Sequence, residues 1–160
     1  MDEQLKDEIR IRDASYEDWK PAMNLAFKVF MKFEAPVYSQ EGIQNFYNFV
    51  TDERLEIMFH EGLYILKVAE CDGRIVGVIS ARSRSHISLL FVDAQYHKQG
   101  IGRRLMEAMK QYSMDEKLDR LTVNAAPYAV EFYHRQGFTD TDTEQLQDGI
   151  RYTPMIWRRS

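Results

Sequence analysis

The sequence predicts a mixed α/β fold in which a mostly antiparallel central sheet is flanked by helices. Three observations predict it. Residues 63–92 form a block rich in β-formers, broken by the hairpin dipeptide Asp72-Gly73. Segments on either side carry apolar residues at helical spacing, including Leu105, Ala108, Met109 and Tyr112. Leu89-Leu90-Phe91-Val92 is a continuous apolar run, which suits a strand buried on both faces.

The elements follow in chain order. Glu8 to Arg12 alternates polar and apolar residues, the mark of a half-buried strand. Ser15 can cap a helix, with Glu17 and Asp18 well placed against the positive end of its dipole. Met23, Phe27 and Phe30 form its core face, and Pro21, which has no amide donor, makes the helix start late or kink. Pro36 marks a loop, and a second helix starts after Ser39 with Ile43, Phe46, Tyr47 and Val50 along one face. Strands are expected over 63–70, 74–82 and 86–92. A helix then begins near Gly100, Leu121-Thr122-Val123 reads as a strand, and Pro127 opens a helix that Gly137 ends. An antiparallel pair flanks Asp148-Gly149, with 150–157 as its second strand. No repeat or linker divides the 160 residues, so 1–160 reads as one domain.

Composition narrows the function. With 44% hydrophobic and 29% charged residues, the chain has the balance of an ordinary soluble domain. A net charge of −4 and only a small basic group, Arg82, Arg84, Arg103 and Arg104, argue against a nucleic-acid partner. There is no apolar run of membrane-spanning length, and Met1-Asp2-Glu3-Gln4 lacks the order of a signal peptide. The single cysteine, Cys71, excludes an internal disulfide and suits a reducing, cytoplasmic setting. His60 and His134 have no partners at metal-ligand spacing, so no metal is expected.

The stretch that carries chemistry runs from Val92 to Leu105. It joins the buried strand to an amphipathic helix and places Gly100 and Gly102 at the junction. Glycine permits a tight turn and a close ligand. The first amides of the helix lack partners within it and sit at the positive end of its dipole, so the junction can hold a phosphate or pyrophosphate. Lys98 and Arg103 stand ready to add charge-assisted hydrogen bonds. Neither the Walker ending nor the three-glycine dinucleotide fingerprint is present. A tight turn with solvated basic residues is the other reading of two glycines taken alone.

With these residues in view, the chain resembles the GNAT superfamily of N-acetyltransferases. The family loop is Arg or Gln, two residues, Gly, one residue, then Gly or Ala; here it is His97-Lys98-Gln99-Gly100-Ile101-Gly102. A second family feature, a helix with a Phe-Tyr pair followed by Gly-Phe, appears as Phe132-Tyr133 and Gly137-Phe138. The resemblance extends from residue 8 to the C-terminus. It implies a GNAT-type sheet whose middle strands splay apart, and transfer of an acetyl group from acetyl-CoA to an amine.

By resemblance, the backbone of Leu90, Phe91 and Val92 pairs with the pantetheine arm, and the amides from Lys98 through Arg103 hold the pyrophosphate. Cofactor contacts thus fall on Leu90, Phe91, Val92, His97, Lys98, Gln99, Gly100, Ile101, Gly102, Arg103 and Asn124. An amide near Phe91 or Val92 is placed to polarise the thioester carbonyl. Tyr133 matches the family's general acid, and it also reads as an aromatic packed on the sheet; the two are compatible.

Three departures stand out. His97 replaces the usual Arg or Gln. Ala126 falls where many members carry an asparagine, with Asn124 as a substitute or a strand end. The central strand lacks the family's glutamate, which leaves the base open: His86 titrates in the right range but equally reads as a polar residue at the start of its strand. Glu34 can bind or deprotonate an amine, or stand as a solvated helix-end carboxylate. The expected acceptor is a small-molecule primary amine, shaped by residues 34–39, His86 and the last hairpin near Arg151 and Trp157. A protein N-terminal or lysine acetyltransferase and a non-catalytic CoA-binding module are the alternatives. The exposed final strands suggest pairing as a homodimer.

Overall fold

The computed structural model describes residues 8–159, so the N-terminal reading of Met1 to Gln4 lies outside the described residues. Strand β1 (Arg10–Asp13) leads through a single 3₁₀ turn at Tyr16–Asp18 into helix α1 (Trp19–Phe33). Ser15 starts this turn by donating from its amide (2.7 Å) and its hydroxyl (3.0 Å) to Asp18. Arg12 ties the same carboxylate to Glu70 on the neighbouring strand, with contacts of 2.7 Å to each. Pro21 sits in the first turn of α1, where a missing N–H leaves no ladder bond unmade.

Helix α2 (Gln40–Val50) starts at Ser39, whose hydroxyl accepts from the Gly42 amide at 3.1 Å. A third front helix, α3 (Glu53–His60), was not expected from the sequence. Its signals are an Asp52 cap, accepting from the Arg54 amide at 2.8 Å, and one buried pair, Leu55 and Phe59. Eight residues with a single i, i+4 pair give too short a period to stand out.

Strands β2 (Ile65–Cys71), β3 (Arg74–Arg82) and β4 (His86–Val92) form an antiparallel meander. Helix α4 (Ile101–Asp115) follows, then β5 (Arg120–Ala125) and the short α5 (Val130–Arg135), which starts behind a 3₁₀ turn at Pro127–Ala129. Two short strands, β6 (Thr139–Asp140) and β7 (Gln145–Gln147), and the long β8 (Ile150–Arg158) complete the chain. β6 was also unforeseen, because two residues carry no pattern.

The sheet order is β1-β2-β3-β4-β5-β8-β6, with β7 also pairing on β8. Among the described residues only β4 and β5 run parallel. The mixed α/β fold and mostly antiparallel sheet expected from the sequence are present. Helices α1 to α3 cover one face, around Trp19, Phe30, Tyr64, Leu89 and Phe91. Helices α4 and α5 cover the other, around Ile101, Leu105, Met109, Leu121 and Phe138. Pro154 is accommodated inside β8 because its carbonyl accepts from Thr141, beyond the end of β6. The missing donor therefore faces a ladder that has already ended.

The feature that positions the site is the parting of β4 and β5. They pair only at His86↔Thr122 and Ile87↔Val123. There, β4 holds an extra residue: Ala81 faces Ile87 and Ser80 faces Leu89, leaving Ser88 unmatched. A bulge of this kind bends its strand, and from Leu89 onward β4 has left β5. The splay expected from the resemblance thus has a local cause at Ser88. The Ser88 hydroxyl is held against Tyr64 (2.6 Å) and Ser80 (2.8 Å), which fixes the bulge from below.

Candidate active site

The opening between β4 and β5 is occupied by two cavities that meet. One, of about 500 Å³, lies over the glycine loop and is lined by Val92, His97, Lys98, Gly100, Ile101, Gly102 and Arg103, with Phe132 of α5 opposite. The other, of about 630 Å³, lies between the opening and the front helices, with Glu34, Tyr38, Phe46, Ser88, Asn124 and Tyr152 among its walls. Leu90, Tyr128, Ala129 and Tyr133 line both. A ligand along the first cavity therefore presents its end to the second.

The groups that the loop-side cavity offers to an anion are mainly backbone amides. Gly100 caps α4 in the left-handed conformation, φ 77° and ψ 13°, which a side chain would strain. The first bond of the helix runs from the Arg104 amide to the Gly100 carbonyl, so the amides of residues 101–103 precede the ladder and are available to an anion. Gly102 serves a different end: a Cβ there would meet the Phe132 ring at 3.3 Å, so the glycine lets α4 approach α5. Arg103 is exposed and pairs with Glu107 at 3.1 Å, and Lys98 is exposed at the rim. Gln99 is exposed and does not line the cavity, so of the loop residues named from sequence its side chain is the one placed outside.

Asp93 holds the loop in place. It is 4% exposed, accepts from the Gln95 amide at 2.9 Å and receives Lys28 of α1 at 3.3 Å. These hydrogen bonds and the Lys28 charge overcome burial and keep its pKa below the usual carboxylate range.

Strand β4 offers its free edge here. The Asp93 amide donates to Val76 on β3 at 2.8 Å, and antiparallel alternation then assigns the backbone of Phe91 to β3 as well. Leu90 and Val92 are left to face the opening. Of the two amides expected to polarise a carbonyl, Phe91 is therefore engaged with the sheet, while Val92 is free to act. His97 donates from Nε2 to the Val92 carbonyl at 2.8 Å and packs its ring against Phe33.

The acceptor-side cavity is built from side chains. Glu34, at the C-terminal cap of α1, is half-buried, and burial pushes its carboxyl up to about 7 despite a 3.3 Å hydrogen bond donated by Tyr38. Tyr133 is 5% exposed, and its hydroxyl has no protein partner among the described residues. Burial, followed by the nearby Glu34 charge, drives its pKa well above the ordinary phenol value. Tyr133 also packs edge-on against Phe132 and Phe138, so the catalytic and packing readings coexist.

Four expected residues lie elsewhere. His86 lines neither cavity; its Nδ1 is engaged with Thr122 at 2.9 Å where β4 and β5 are still paired. Asn124 lines the acceptor side rather than the loop side. In the last hairpin, Arg151 pairs with Glu144 and Trp157 lies under Lys110, while Gln147, Asp148, Ile150 and Tyr152 face the cavity. Strand alternation explains this, since 150 and 152 share the face that 151 and 157 do not. Tyr38 falls within the 34–39 stretch expected to shape the acceptor side, whereas Tyr128 and Ser88 were missed; neither has a sequence signal beyond its residue type.

A family model for the acetyltransferase (GNAT) domain matches residues 34–159. The chain belongs to the GNAT acetyltransferase family. Solved structures share its fold: a GCN5-related N-acetyltransferase from Rhodopseudomonas palustris is 22% identical with a TM-score of 0.81, over 97% of this chain and 98% of that one. The PaiA N-acetyltransferase of Thermoplasma acidophilum, in complex with coenzyme A, is 19% identical with a TM-score of 0.78, over 95% and 99%. The ribosomal-protein-alanine N-acetyltransferase of Brucella melitensis is 21% identical with a TM-score of 0.67, over 94% and 99%. No curated protein sequence gave a match. As a GNAT enzyme the protein is an acetyl-CoA-dependent acetyltransferase. Among the described residues no group of His, Cys, Asp or Glu is arranged to hold a metal, and no helix is long and apolar enough to cross a membrane.

Proposed function

We propose that this GNAT enzyme transfers the acetyl group of acetyl-CoA to the primary amine of a small molecule by direct attack. The observation that carries the reading is the junction of the two cavities at Leu90, Tyr128, Ala129 and Tyr133. The amides of residues 101–103, with Lys98 and Arg103 at the rim, suit the pyrophosphate. The edge of β4 at Leu90 and at the Val92 amide suits the pantetheine arm as an added strand, with the Val92 carbonyl held by His97. Bound acetyl-CoA supplies an electrophilic thioester carbonyl at the junction.

The chain's own groups then divide the proton work. Glu34, with a pKa of about 7, is partly ionised at neutral pH and can take the proton that the amine loses as its nitrogen bonds to the carbonyl carbon. The Val92 amide is placed to donate to the carbonyl oxygen as charge builds there. Tyr133 stays protonated at every working pH and donates to the sulfur as the carbon–sulfur bond breaks. Its raised pKa makes it a weak acid but a constant hydrogen-bond donor. One proton leaves the amine and one reaches the thiolate, so the step balances, and solvent exchange restores Glu34 and Tyr133.

The test is free-thiol release from acetyl-CoA with a panel of short primary amines and with a free-N-terminus peptide. Turnover with the amines and little with the peptide supports the reading. Turnover with the peptide alone would replace it with a protein acceptor, and tight CoA binding without any turnover would leave a binding module.

A further inference from the structure

The acceptor-side cavity is closed along one wall by a contact that local structure alone does not require. The β7–β8 turn, Asp148-Gly149, lies against the first turn of α2. A Cβ at Gly42 would stand 2.6 Å from the Gly149 carbonyl oxygen, and a Cβ at Gly149 would overlap the Ser39 hydroxyl. Asn45, one turn further along α2, donates its side-chain amide to the Asp148 carbonyl at 3.3 Å. Two backbones thus meet through two glycines, and no other residue pair fits at that separation.

The contact is unexpected on helix grounds. Gly42 lies inside α2, is buried and needs no left-handed backbone, so alanine would favour the helix. The glycine answers to the hairpin rather than to the helix. The residues beside each glycine, Glu41 and Asp148, both line the cavity, as do Asn45 and Ile150. The contact therefore joins the two halves of the cavity wall, one from α2 and one from the C-terminal hairpin.

We propose that the Gly42–Gly149 contact is a clasp that closes the acceptor cavity around a small amine and denies it to a peptide chain end. The proposal rests on the small-amine reading above and adds the residues that set the size limit. An extended peptide needs more width than a small amine, and the contact fixes how far apart α2 and the hairpin, two segments of the cavity wall, can stand. Glu41 and Asp148 form no ion pair within the protein among the described residues, so the rim is acidic and favours a cationic acceptor. Arg82 also lines the cavity and works against that preference, which makes size, rather than charge, the property the clasp controls.

The experiment compares the wild-type chain with Gly42→Ala, which helps the helix while forcing the hairpin away, and with Asn45→Ala, which removes the tether together with one side chain of the cavity wall. Hydrogen exchange of the hairpin amides over 145–152 reads the clasp without any substrate. Steady-state rates with a short primary alkylamine and with a free-N-terminus hexapeptide read its role. Expected for Gly42→Ala are exchange faster by about tenfold, an alkylamine KM raised by about tenfold and a peptide-to-alkylamine preference shifted toward the peptide by a similar factor. The acetyl-CoA KM stays within about twofold, because that cavity does not touch the clasp. Asn45→Ala moves in the same direction by less. Unchanged exchange overturns the clasp. Faster exchange with an unchanged acceptor preference overturns its role in selection. Faster exchange from a wild type that acetylates neither acceptor instead overturns the small-amine reading, and with it the selection.

Discussion

The two cavities that meet at Tyr133 are built by opposite means. The loop-side cavity grips through backbone: a left-handed Gly100, the amides of residues 101–103 that precede the helix ladder, and the edge of β4 at Leu90 and the Val92 amide. The acceptor-side cavity relies on side chains drawn from α1, α2, β3, β5 and the final hairpin, with Glu34 as its titrating group. A ligand shared by a whole family is gripped by groups that every sequence possesses, with glycine needed only where the turn demands it. A private acceptor is selected by residues that are free to vary.

That contrast can be broken or sharpened by substitution. The largest effect is expected at Gly100→Val, which puts a β-branched residue into the left-handed region and turns the loop amides away. Acetyl-CoA affinity by calorimetry should fall about 100-fold. A loss of less than about threefold would mean the amides are not the grip. Next is Tyr133→Phe, expected to lower kcat by about 100-fold while acetyl-CoA affinity stays within about twofold. Equal losses in both would make Tyr133 a packing residue.

Glu34→Gln follows, with kcat/KM down about tenfold or more. Wild-type kcat/KM should rise with pH through about 7 as the carboxylate forms, and the variant should lack that step. The same change should stabilise the fold at pH 8. The folded-state pKa of Glu34 lies above its ordinary value of 4.5, so protonation favours the native state. Its contribution is fully present below 4.5 and is lost as pH climbs to about 7. Removing the charge should recover up to about 3 kcal/mol, read as a higher Tm at pH 8 with little gain at pH 4. The smallest effect is expected at His97→Ala. Acetyl-CoA affinity should change by less than about threefold, since the phosphate-facing amides do not depend on that ring. A larger loss would bring a side chain into the backbone-built cavity.

Legibility followed the same divide. The stretch from His97 to Gly102 was readable because a helix N-terminus with glycine at its cap has a fixed spacing. Asp72-Gly73 was readable because the turn needs positive φ at both residues, and both have it, 53° and 76°. Helix α3 and strand β6 were lost because eight and two residues carry too little period. His86 was misplaced for a different reason. Its residue type suits a base, but it sits below the bulge at Ser88, where the strands have not yet parted. Asn124 lies on the correct strand yet faces the other cavity. Glu34 read equally as a solvated helix-end carboxylate until burial beside Tyr38 singled it out.

By itself the sequence determined the order of most of the elements, the central strand and the anion loop, because each depends on residues close together in the chain. Tertiary structure decided where β4 leaves β5, which carboxylate is desolvated and what closes the acceptor cavity. Those outcomes depend on residues such as Gly42 and Gly149, or Ser88, Ser80 and Tyr64, that meet only after folding. Periodicity reports which side of an element faces inward, but not which distant backbone it will touch.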